Sequence, residues 1–243
     1  MKKEFEAEVG PEGHLVLPPE LARKYGYRPG EKIRVEAGRN RVTLLRSPDH
    51  LARVYIEPTN RCNLDCVTCI RHGWDEPLGE MSPATFGNII TGLRELDPPP
   101  DVFFGGLGEP LGHPRILDMV RDAKSLGGEV ELITNGMLLT REVSEALVAA
   151  GLDKLWVSLD GATPESYTDV RLGAALPQVI ANLQVFRRVR WERYRTELFD
   201  LLLKPRIGIV FVAMKRNIGD FPAVVSLANR LGALHFMVSN VLP

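Results

Sequence analysis

All three cysteines of the 243-residue chain fall in one stretch, IEPTNRCNLDCVTCIR, as Cys62, Cys66 and Cys69. Their spacing is C-x3-C-x2-C, with no fourth cysteine to complete a set. A cubane [4Fe–4S] cluster is ordinarily held by four thiolates. Three on one loop leave one iron without a protein ligand, and such an iron can take up and activate a small molecule, as the open position of a catalytic zinc does. Zinc itself is the rival reading, because His72 follows Cys69 and makes a Cys3His set. Disulfides fit poorly: three cysteines cannot all pair within one chain, and a bridge between such close neighbours would close only a tiny loop.

Further polar motifs follow apolar runs. FFGGLGEP, residues 103–110, holds Gly105, Gly106 and Gly108, which let backbone approach a ligand where a β-carbon would obstruct, and then Glu109. LITNG, residues 132–136, presents Thr134 and Asn135, although Asn-Gly also suits an ordinary strand-end turn. In VSLDG, residues 157–161, Ser158 and Asp160 alternate with Val157 and Leu159 and so share one face of a strand. IGIVFVAMKRN ends in Lys215 and Arg216, which suit either a carboxylate or a solvated strand end. Around the cysteines, Asn60, Arg61 and Asn63 can hydrogen-bond sulfur or backbone and tune a cluster. Arg171, in YTDVRLG after the fourth strand, can reach the site, and His113 reads as a turn residue.

The elements that would position these groups alternate regularly. Apolar runs predict strands at 54–58, 101–105, 129–134, 154–159, 206–214 and 235–241, with amphipathic helices near 83–96, 114–126, 141–150, 164–171, 176–198 and 220–231. Ser82 before Pro83 and Thr140 before Arg141 start helices, and Gly127 and Gly151 stand where helices end. This is an α/β class with a parallel sheet, either curled into part of a barrel or doubly wound. Each polar motif falls at the carboxyl end of a strand, where the chemistry of such folds gathers. The last strand ends with the chain, which reads as a barrel truncated at its C-terminal end.

Residues 1–47 differ. They carry ten Lys/Arg and seven Asp/Glu, a local charge of +3 in a chain of net charge −1. The order there is strand, turn, strand, helix, turn, strand, strand, with Pro18-Pro19 opening the helix and Gly26 ending it. Fewer than 50 residues bury little, so this unit calls for a partner. Residues 48–52 are the linker to a second domain, 53–243. No apolar run approaches a membrane span, and MKKEFEAEVG lacks the apolar stretch of a signal peptide. Free thiols fit a reducing, cytoplasmic setting.

The cysteine spacing followed in chain order by FFGGLGEP, LITNG and VSLDG resembles the radical SAM enzymes over 53–243. That resemblance implies a partial (β/α)6 barrel. It implies a [4Fe–4S] cluster on Cys62, Cys66 and Cys69, with S-adenosylmethionine (SAM) on the open iron. It places Gly105, Gly106, Gly108 and Glu109 at the methionyl ammonium and Thr134 and Asn135 at the barrel mouth. Ser158 and Asp160 fall at the ribose or carboxylate, Lys215 at a carboxylate, and Val241 and Leu242 near the adenine. The family often has an aromatic residue before the third cysteine; here it is Thr68. CVTCIRHGWDEPLGEMS is similar to maturases associated with tungsten-pterin oxidoreductases. The implied activity is reductive cleavage of SAM to a 5′-deoxyadenosyl radical that abstracts hydrogen from a substrate, in peptide, protein or cofactor maturation, fed by a ferredoxin- or flavodoxin-like electron donor. Residues 1–47 resemble the AbrB/SpoVT swapped-hairpin family, which implies a homodimer and, through Arg23, Lys24, Arg28 and Arg39, DNA contact. A DNA-binding regulator with a redox-sensing cluster is the alternative.

Overall fold

The structure, a computed structural model, describes residues 5–27, 30, 33–45, 51–73, 75–194 and 204–240. Its main body is a sheet of six parallel strands: β5 (Arg53–Ile56), β6 (Asp101–Phe104), β7 (Val130–Thr134), β8 (Lys154–Ser158), β9 (Arg206–Ala213) and β10 (His235–Asn240). Neighbours in sequence are neighbours in the sheet throughout. That order decides between the two expected sheets. A doubly wound sheet must reverse its strand order once. Here every crossover steps the same way, so the helices collect on one face and the sheet curls around the other.

The helices are α2 (Pro83–Arg94), α3 (Ile116–Lys124), α4 (Arg141–Ala149), α5 (Pro164–Val170), α6 (Leu176–Tyr194) and α7 (Phe221–Arg230). Their starts follow the residue chemistry: Ser82 accepts from the Thr85 N–H, Thr140 from the Val143 N–H, and Thr163 and Ser166 form a reciprocal capping box. Gly127 and Gly151 take φ of 96° and 78°, a left-handed backbone that side chains other than glycine's resist. The core lies between sheet and helices. Phe104, Leu132, Leu155, Ile209 and Phe211 pack from the strands against Phe86, Val120, Leu147, Val179, Phe186 and Val224 from the helices.

The concave face is different. Tyr55 and Phe103 lie with ring centroids 5.1 Å apart, and the Trp156 indole covers Gly208, where a β-carbon would fall 2.3 Å from the ring. Below them Glu131, 1% exposed, accepts from Trp156 Nε1 at 2.6 Å, Lys154 Nζ at 3.0 Å and Arg53 Nη2 at 3.0 Å. Burial alone would raise its pKa, but these donors and the Lys154 and Arg53 charges outweigh it and hold the carboxyl below its usual range.

The N-terminal unit has the expected order: β1 (Glu8–Val9), β2 (Leu15–Val16), α1 (Pro19–Tyr25), β3 (Arg34–Gly38) and β4 (Arg41–Leu45). β1 pairs with β2 and β3 with β4, both antiparallel. Gly26 ends α1 in the left-handed region. No described residue of 5–45 is buried, and Val9, Val16, Val35 and Val42 are all more than half exposed. Arg28 and most of the linker, 48–50, lie outside the described residues, as do Val241 and Leu242. No helix among the described residues is long and apolar enough to cross a membrane.

Candidate active site

The loop after β5 carries the cysteines and is fastened at both ends. Its first part is tied to residues 77–79: the Thr59 hydroxyl donates to the Gly79 carbonyl at 2.9 Å, Asn60 Nδ2 to Pro77 at 3.0 Å and Arg61 Nη2 to Leu78 at 3.2 Å. Asn60 and Arg61 thus hold loop backbone rather than sulfur. Its second part is tied to the end of α5, where the Asp65 N–H donates to Leu172 O at 3.1 Å and the Val67 N–H to Val170 O at 2.9 Å.

The glycine-rich turn after β6 lies directly against this loop. A β-carbon on Gly108 would sit 2.0 Å from the Thr59 carbonyl oxygen, and the Glu109 N–H donates to Arg61 O at 2.8 Å. Gly106 takes φ of 142°, and a β-carbon there would meet the Glu57 carboxyl at 2.5 Å. Glu57 accepts from the N–H groups of Leu107 and Gly108 and so pins the turn. Gly105 is buried, and a β-carbon there would fall 2.6 Å from Ile133 and from Phe103. Glu109 is 2% exposed and fully engaged: it accepts from Thr134 Oγ1 and the Asn135 N–H, each at 2.7 Å, and from the Leu111 N–H at 3.1 Å. Burial pushes its pKa up and these three bonds pull it back, leaving it raised. Glu109 therefore joins two strand-end loops.

These loops enclose a cavity of about 570 Å³, lined among others by Cys62, Cys66, Cys69, Gly106, Gly108, Glu109, Thr134, Asn135, Ser158 and Arg171. Each sulfur has a donor. Cys62 Sγ accepts from the Leu64 N–H at 3.4 Å and faces Asn135 Nδ2 at 3.8 Å; Cys66 Sγ faces Arg171 Nη1 at 3.9 Å; Cys69 Sγ accepts from Arg71 Nε at 3.2 Å. Asn135 Nδ2 also donates to Asn63 Oδ1 at 2.8 Å, so Asn63 and Asn135 steady each other over the first cysteine. Burial pushes the Cys66 thiol up, and Arg171 works against that.

Arg171 is the buried charge of the cavity. It is 8% exposed, its Nη2 pairs with Asp160 Oδ2 at 2.6 Å, and its Nε–H is buried without a hydrogen-bond partner. Burial opposes its charge, but Asp160 outweighs that and raises its pKa. The Tyr167 hydroxyl, pushed up to about 12 chiefly by burial, donates to Ser158 O at 3.3 Å behind it.

Three expected contacts, Gly105, Asp160 and Lys215, lie off the cavity. Asp160 is 0% exposed and its carboxylate is taken by Arg171 and by the Val212 N–H at 2.7 Å. β8 ends at Ser158, so the alternation that would put Asp160 beside Ser158 has already stopped. Lys215 is exposed in the turn after β9, and it is Val212, nearer the strand's end, that lines the cavity. His72 is also exposed and its Nε2 lies 3.0 Å from Cys66 O. His113 is buried and bonded to backbone at Met81, Nε2 to O at 3.2 Å, consistent with a turn residue. Glu57 and Arg71 are site residues beyond those expected. A lone carboxylate after a strand carries no signal, whereas a cation two residues beyond a thiolate does.

Among the described residues no three His, Cys, Asp or Glu side chains close around a single metal ion. A cubane cluster makes a different demand, three thiolates set apart on different irons. Three cysteines facing one cavity, each sulfur supplied with a donor, meet that demand. The cavity, with the Arg171 guanidinium in its lining, fits a second, anionic group beside it.

The sequence profile of the Radical SAM superfamily matches residues 56–204, and the chain belongs to that superfamily. It is thus an enzyme of the class that uses a [4Fe–4S] cluster and SAM. The chain is 34% identical over 190 residues to a tungsten-containing aldehyde ferredoxin oxidoreductase cofactor-modifying protein of Pyrococcus furiosus, covering 78% of this chain and 51% of that one. It is 31% identical over 189 residues to an AdoMet-dependent heme synthase of Methanosarcina barkeri, covering 77% and 50%. The chain therefore spans about half the length of the curated relatives it matches. The solved structure of Streptococcus suis SuiB bound to S-adenosylmethionine shares the fold, with a TM-score of 0.64 at 18% identity over 80% of this chain and 41% of that one.

Proposed function

We propose that this protein cleaves SAM reductively and uses the resulting radical to abstract hydrogen from a substrate in the maturation of a protein, peptide or cofactor. A bound cluster would supply the one electron needed for reductive cleavage of SAM. The chain's own residues do the rest. Cys62, Cys66 and Cys69 would hold the cluster. Arg171 would meet the methionyl carboxylate, the backbone carbonyls of Gly106 to Gly108 would accept from the ammonium, and Ser158 would contact the ribose. Glu57, Glu109, Thr134 and Asn135 keep those loops in place. The observation that carries this reading is the convergence of three cysteines, the glycine turn and a buried arginine on one cavity.

The maturase assignment rests on the Pyrococcus relative, which its name describes as cofactor-modifying. A one-electron donor of ferredoxin or flavodoxin type would supply the cluster. Residues 1–47 would pair two copies, since the unit leaves its valines exposed. A regulator sensing redox state and binding DNA has no need of such a cavity, and neither the relatives nor the fold support it. The test is anaerobic reconstitution of the full chain with iron and sulfide, then dithionite and SAM. 5′-Deoxyadenosine and methionine in equal amounts are expected; a protein holding four irons that releases neither would end the proposal.

A further inference from the structure

Arg71 has no part in the functional reading above, yet its guanidinium is spent entirely on the cysteine loop. Nε–H donates to Cys69 Sγ at 3.2 Å, Nη2 to Leu64 O at 2.8 Å and Nη1 to Asn60 O at 3.5 Å. Those acceptors lie before the first cysteine, between the first and second, and on the third, so one planar fork spans the whole motif. Of the three sulfurs, Cys69 has the shortest side-chain contact, and it comes from a permanent cation. The other cation, on Arg171, stands farther from its sulfur and is already paired with Asp160. Arg71 is half-buried, so its charge is only partly screened.

We infer that Arg71 is a positioning residue that sets the reduction potential of the cluster, raising it through the hydrogen bond and charge it brings to Cys69. The inference rests on the cluster assignment above. Each electron added to an iron–sulfur cluster spreads negative charge onto its sulfurs. A donor and a cation held at one of them therefore stabilise the reduced form and move the potential upward. The two backbone bonds keep the fork in place, so the effect does not depend on a flexible side chain finding its partner. Lysine cannot reproduce this, because it offers a point charge without the three-way planar geometry.

The experiment compares reconstituted wild type, Arg71→Lys and Arg71→Gln for iron and sulfide content and, by redox titration followed by paramagnetic resonance, for midpoint potential. Wild-type protein without a four-iron cluster would count against the family assignment of the site rather than against Arg71. With that control satisfied, the expected result is a lower potential in both variants, Gln lower than Lys. At the wild-type midpoint, a tenfold fall in the reduced-to-oxidised ratio corresponds to about 59 mV for one electron. If Gln fails to assemble the cluster, a lowered potential in the Lys variant still supports the inference. Wild-type potential in a fully loaded variant overturns it. Loss of the cluster from both variants would make Arg71 a structural tie and overturn it equally.

Discussion

At the scale of single residues, the site is defined by which polar atoms are already spoken for. Glu109, Thr134, Asn135 and Asp160 are polar groups at strand ends, and each gives its hydrogen bonds to the protein. Arg171 keeps one donor in reserve. Replacing Arg171 with Gln leaves the Asp160 carboxylate buried without its cation, and breaking a buried pair costs about 3–5 kcal/mol. The expected outcome is a lower urea midpoint together with lost SAM binding in a titration of the loaded protein. A variant that is destabilised but binds SAM as wild type would confine Arg171 to a structural role.

At the scale of elements, the cysteine loop works because the neighbouring strand ends support it. Gly108 is where the two loops come closest, so Gly108→Ala must push the Thr59 carbonyl away. Overpacking of this kind costs about 1–3 kcal/mol. The expected signature is a drop in iron bound per chain, with the helical circular dichroism unchanged. Farther down the strands, Glu131 draws β5, β7 and β8 together through its three partners. Its pKa is held below the ordinary 4.5, so its contribution is present above that pH and is lost as pH falls through the lowered folded value. Glu131→Gln should therefore be less stable than wild type in urea at pH 7, and the gap should narrow steadily in titrations below pH 4.5. A gap independent of pH would show that the network acts through shape rather than charge.

At the scale of the whole molecule, the two parts bury themselves to different degrees. The curled sheet and its helices have a continuous core. The N-terminal unit has no buried residue among those described, and its valines face outward. Apolar surface of that kind is stabilised by removal from water, at about 25 cal/mol per Å². Pairing of two copies predicts a light-scattering mass of twice the chain, and a shift to single chains when Val9 and Val42 are both replaced by Asp. A wild-type mass of one chain would sink the dimer.

Much of this molecule is legible in its amino-acid order. Short-range chemistry prescribed the strands, the helix caps at Ser82 and Thr140, and the cysteine triad, because each depends on residues only a few positions apart. The α/β class followed from alternation along the chain. What alternation could not choose was the direction of each crossover, which distinguishes a curled sheet from a doubly wound one and is set by packing between distant elements. The same holds at the site. Asp160 looks like a partner of Ser158 until the strand stops short of it, and Lys215 looks poised until its turn carries it to solvent. Glu57 acquires its role only when Leu107 is folded against it, and Arg71 only when the loop brings Asn60 and Leu64 to its guanidinium. Residue type and spacing decided which chemistry was available; long-range packing, which brings groups 50 and more positions apart into hydrogen-bond distance, decided which groups remain free to perform it.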